Sequence, residues 1–181
     1  MPVDFDEFVE QQERDISPVS TREEKLAAWK NELAKLYASM EEWLKPYIDS
    51  GKVRIEPHTV ELVEEYLGRY EAPALSIFIG NNEVIAEPVG SILIGAKGRV
   101  DLSGPRRTSR FVLLEEGGPS QTTTTSGANG LEEKFTCSPL RSAIHQRGWY
   151  KVTSPPDATA TPLDADSFKS AIMDVASAYG V

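Results

Sequence analysis

Between Thr21 and Ser50 the large apolar residues fall at Leu26, Trp29, Leu33, Leu36, Met40, Trp43 and Tyr47. The steps alternate between three and four, which places all seven on one stripe of an α-helix. Tyr37, Leu44 and Ile48 widen the stripe on one side, while Lys30, Glu32, Lys35, Glu41 and Glu42 lie off it. Ser20 with Glu23, and Thr21 with Glu24, stand at capping-box spacing, so either hydroxyl can close the amino end. Pro46 has no amide hydrogen for the carbonyl of Glu42, which predicts a kink or an early end there. Gly51 suits the closing turn.

From Lys52 the period falls from about 3.6 to 2. Val53 and Ile55 alternate with Arg54 and Glu56. In 59–70 the residues Val60, Val63, Leu67 and Tyr70 have helical spacing, but Gly68 interrupts it and strand-like sequence flanks it. The segment is expected to be strand, with a turn near Gly68. Strands follow at 74–79 and 83–89, joined through Gly80-Asn81-Asn82, residue types that tolerate the positive φ of a tight hairpin turn. Further strands are expected at 91–96, 99–103, 109–116 and 148–153, with turns at Lys97-Gly98 and Gly104-Pro105. In 99–103, Val100 and Leu102 point one way and Arg99, Asp101 and Ser103 the other.

The stretch 117–130, with four successive threonines, has no large apolar residue and is expected to be a flexible loop. Residues 131–144 carry no clear pattern, and 157–163 are expected to be an extended connector. Asp164 or Asp166 caps a last helix with an apolar face of Phe168, Ile172, Val175, Ala176 and Tyr179. Ahead of everything, Asp4 to Asp15 suits a short helix ended by Ser17-Pro18.

The expected fold is therefore α+β: a long N-terminal helix, an antiparallel meander of about six or seven strands, and a C-terminal helix. Residues 1–20 form an acidic arm, and 21–181 a single domain, of a length that buries a sizeable core. The alternative is a partly closed barrel capped by the last helix, which resembles pleckstrin-homology-like domains at the level of architecture. Fold alone does not assign function.

Charge changes this picture in two places. The chain of 181 residues has a net charge of −9, which argues against nucleic acid or an anionic membrane as general partners. Eight acidic groups crowd residues 1–24, whereas Lys97, Arg99, Arg106, Arg107 and Arg110 face Asp101 alone over 97–110. The amino terminus lacks the basic start and apolar core of a secretory signal, and no apolar run approaches the ~20 residues of a membrane helix. Cys137 is the single cysteine, so no intrachain disulfide forms, and a reducing cytoplasmic setting is expected.

Catalytic chemistry finds little support. His58, Cys137 and His145 are scattered, without metal-ligand spacing, so no metal is expected. No phosphate loop, dinucleotide-binding glycine pattern or nucleophile elbow occurs, so no cofactor is expected either. The pairs Glu64-Glu65, Glu115-Glu116 and Glu132-Glu133 are adjacent in sequence; in a strand they point to opposite faces and make no acid–base dyad. A catalytic site assembled only in space leaves no linear trace, so an enzyme stays open behind two leading readings. The first is a non-enzymatic intracellular protein-interaction domain, with a protein partner or a homodimer formed through the helix face at Trp29, Leu36 and Trp43. The second is a binding module for an anionic ligand or acidic protein segment at Lys97, Arg99, Arg106, Arg107 and Arg110.

Overall fold

A computed structural model describes residues 18–91, 96–118, 121–126, 132–137, 144–154 and 158–176. The expected helix at 4–15 and most of the expected strand at 91–96 lie outside them. Helix α1 spans Pro18–Asp49. It starts three residues earlier than Thr21, because proline at the first helical position gives up an amide that has no partner there. Nor does Pro46 end it: the ladder resumes with the Ser50 amide donating to the Pro46 carbonyl at 3.3 Å. Glu42 and Pro46 are both exposed, so water can take the place of the missing hydrogen bond.

Trp29, Leu33, Leu36, Tyr37, Met40 and Leu44 of α1 are buried, Trp43 is half-buried, and Tyr47 is 43% exposed. The buried stripe is thus turned towards the Tyr37 and Leu44 side. It lies on a seven-stranded antiparallel sheet, in the order β1 (Val53–Glu64), β2 (Gly68–Ile79), β3 (Asn82–Gly90), β4 (Gly98–Ser103), β5 (Thr108–Leu114), β8 (Gly148–Val152) and β9 (Ala160–Pro162). The inward residues of these strands, among them Ile77, Val84, Ala86, Val100, Leu102 and Phe111, form one buried cluster with α1. Helix α2, Ala165–Ala176, adds Phe168, Ala171, Ile172 and Val175 to it. Asp164 caps α2: the Ser167 amide donates to Asp164 Oδ1, and the Asp164 amide to Ser167 Oγ, both at 2.8 Å. The architecture is an α+β meander, open between β1 and β9 as a partly open barrel, with a helix at each end of the chain.

Three local outcomes differ from the simple strand list. Residues 121–126, expected in a loop, form β6 (Gln121–Ser126), which pairs with β7 (Glu132–Cys137) as a separate two-stranded sheet between β5 and β8. A run of threonines has high strand propensity without any apolar alternation to announce it. The connector at 157–163 contains β9. Lastly, β1 and β2 pair without a break from Val53↔Ile79 to Glu64↔Gly68, but β3 pairs only with Leu75 to Ile79. The outer half of this hairpin therefore projects as a two-stranded arm. Its turn closes through Gly68 at φ +67°, at the expected position.

Within the arm, Val60, Leu62, Tyr70 and Ala72 pack on the core, although they share a face with exposed Arg54 and Glu56. With the register unbroken, the strong twist of a two-stranded ribbon accounts for the change of side. The tip is tied down by polar contacts. Arg22 Nε donates to the Leu67 carbonyl at 3.0 Å, and Trp29 Nε1 to Tyr70 Oη at 3.1 Å. Tyr70 in turn donates to Glu64, whose carboxylate also accepts the Ser91 amide and hydroxyl at 3.1 Å.

Candidate anion-binding site

The turn joining β4 to β5 is pressed against the end of α2. Gly104 lies so close to Val175 that a β-carbon would overlap its backbone carbonyl, so only glycine allows this approach. The Gly104 amide donates to the Arg107 carbonyl at 3.0 Å, and the Ser103 and Thr108 hydroxyls are 3.2 Å apart across the base of the turn. These contacts set where Arg106, Arg107 and Arg110 emerge.

Pairing of β5 with β8 stops at Arg110↔Val152, so Thr108 and Ser109 continue without a strand partner among the described residues on that side. The gap between them, Thr153-Ser154 and the last turn of α2 is a depression of about 460 Å³. Its charged lining is Arg99, Asp101, Arg107, Arg110, Lys151 and Asp174. Arg99 is already committed: its Nε and Nη2 donate to the two Asp101 carboxylate oxygens, both at 2.7 Å. Those bonds push its pKa further up, against the opposing effect of partial burial. Lys151 is likewise held by Asp174 at 3.0 Å. Arg107 and Arg110 make no ion pair among the described residues, and both are exposed. Ser109 and Ser154 also line the depression; Ser109 stands opposite the buried Leu102, on the core face of β5, and Arg110 opposite Asp101 on the other face.

The structure therefore brings Arg99, Arg107 and Arg110 together and leaves two of the five expected cations apart. Arg106 is exposed in the turn but does not line the depression. Lys97 sits at the opposite end of β4, beside a second cavity of about 560 Å³ that Trp29 and Arg147 also line. There Arg147 reaches Glu115 at 3.1 Å and Glu32 at 3.2 Å. Partial burial lowers the Arg147 pKa, and the bonds to Glu115 and Glu32 outweigh it, so the net shift is upward. Sequence reasoning missed Lys151, Ser109 and Ser154. Only the adjacency of β8 to β5, across the inserted β6–β7 ribbon, places Lys151 and Ser154 here.

The residues expected to form a helix interface lie inside the chain's own packing. Trp29 and Leu36 are each 3% exposed, and Trp43 is half-buried against Phe168 with ring centroids 5.4 Å apart. Trp29 also faces Trp149 at 6.3 Å. They offer no continuous outer surface.

Among the described residues no group of three or more histidine, cysteine, aspartate or glutamate side chains is placed to hold a metal ion. His58 and His145 are both exposed and far apart in the chain. No helix among the described residues is long and apolar enough to cross a membrane. Comparisons with protein-family models, curated proteins and solved structures found no match to this chain.

Proposed function

We propose that the chain is a non-catalytic binding domain that takes up an anionic ligand, or an acidic segment of a protein partner, at the end of β4, β5 and β8. One observation carries the reading. Four cations and two carboxylates line the depression, and the two carboxylates are bonded to Arg99 and Lys151, so Arg107 and Arg110, the latter opposite Asp101 in the β4–β5 ladder, make no ion pair among the described residues. Guanidinium groups so placed match a carboxylate or phosphate by paired, charge-assisted hydrogen bonds. The reading of the helix as a self-association surface is set behind this one, since Trp29 and Leu36 are used internally. A cytoplasmic setting belongs to the same proposal and is supported by the single cysteine.

The test is calorimetric titration of an acidic peptide and of inorganic phosphate into the full chain and into an Arg107→Ala/Arg110→Ala variant. Both residues are exposed, so the variant is expected to keep the parent circular dichroism spectrum. Hydrogen bonds to charged groups contribute about 1.5–3 kcal/mol each, so the loss of affinity is expected to be at least ~tenfold. Equal binding by both proteins, or none by the parent at low salt, contradicts the proposal.

A further inference from the structure

Which anion the depression takes is read from its charge and its donors, and this inference rests on the binding reading above. After the Arg99–Asp101 and Lys151–Asp174 pairs are counted, the surplus in the lining is the two charges of Arg107 and Arg110. A carboxylate brings one negative charge and two oxygens. A phosphate monoester brings close to two charges near neutral pH and three strongly accepting oxygens. The free donors number more than two oxygens would use: two guanidinium groups, each able to bond in a fork, and Ser154 in the lining beside them. The depression, at about 460 Å³, has room for the group together with part of whatever carries it.

We infer that the site between the β4–β5 turn, β8 and the end of α2 is selective for a phosphate monoester over a carboxylate. The selectivity gives a pH signature that comes from the ligand. The charged residues lining the depression are arginines 99, 107 and 110, Lys151, Asp101 and Asp174, and no histidine lines it. None of these residue types ordinarily titrates between pH 5.5 and 7.5, whereas a phosphate monoester gains its second charge near pH ~6.

The experiment titrates the full chain with a phosphoserine peptide and with the same peptide carrying glutamate at that position, at pH 7.5 and 5.5. The phosphopeptide is expected to bind at least ~tenfold more tightly at pH 7.5, and to lose about fourfold at pH 5.5, where only about a quarter of the phosphate is doubly charged. The glutamate peptide is expected to bind equally at both. Inorganic phosphate is expected to displace the phosphopeptide, and Arg107→Ala/Arg110→Ala to abolish the preference. Equal affinity for the two peptides, or no displacement by inorganic phosphate, overturns the phosphate assignment and leaves an anion site standing. No binding of either peptide overturns both readings.

Discussion

Tyr70 links three parts of the molecule through one oxygen, accepting from the Trp29 indole of α1 and donating to Glu64 across the arm. Burial raises its pKa, and the bond to Glu64 and the charge there raise it further. Tyr37, buried in α1, is shifted the same way, by burial first and the charge of Glu87 second. A phenol whose folded pKa is raised contributes stability that is complete below its ordinary value of 10.0 and is lost as the pH climbs above it. Alkaline unfolding therefore offers a direct check. The parent is expected to lose stability steeply above pH 10, and a Tyr37→Phe/Tyr70→Phe variant less steeply. Tyr70→Phe alone is expected to be weaker by about 1–3 kcal/mol at pH 7, since Trp29 loses its acceptor, whereas the Tyr37 hydroxyl has no hydrogen-bond partner among the described residues and its removal costs no such bond. Parallel pH profiles for the two proteins would contradict this account of the buried phenols.

At the scale of elements, α1 is an internal wall, and the claim has a measurable form. Leu33 is fully buried on the wall, and Tyr47 stands 43% exposed at its end. Leu33→Ala is expected to destabilise the fold by about 2–5 kcal/mol, and Tyr47→Ala by less than ~1 kcal/mol. Urea denaturation monitored by tryptophan fluorescence reads both. If the two changes were equal, or if Leu33→Ala altered only the oligomeric state, the helix would face a partner and not the sheet. The stripe itself was legible because steps of three and four admit only a helix. Its direction was not, because Trp43 and Tyr47 fit the same spacing as Tyr37 and Leu44. The choice between them is made by where α2 and β1 sit, which no local pattern encodes. Strands β1 to β5 were legible from alternation and from Gly68 and Gly80, whose positive φ values close the turns. The hairpin turn expected at Lys97-Gly98 was not formed: Gly98 opens β4, opposite Leu113, and β4 pairs directly with β3. The ribbon of β6 and β7 was not, since Thr122 to Thr125 carry no apolar period.

On the scale of the whole molecule, the charge of the chain and the charge of the site have opposite signs. A net charge of −9 surrounds a depression in which Arg107 and Arg110 make no ion pair among the described residues. Sequence alone exposed the basic segment as an anomaly, yet it could not say which cations were free. Arg99 is spent on Asp101, two residues away on the same face of β4, a pairing that strand alternation permits but does not require. Lys151 and Asp174 enter from β8 and α2, more than forty residues further along, so their presence was beyond any local motif.

The central claim is that this one place, and not the helix face or the cavity beside Lys97, receives an anion. Amide chemical-shift mapping of the full chain during titration with inorganic phosphate tests it most directly. The account predicts saturable shifts concentrated at Arg107 to Arg110 and at Thr153 and Ser154, absent in Arg107→Ala/Arg110→Ala. Shifts centred on Trp29, Lys97 and Arg147 instead, or no saturable shift anywhere, would contradict it.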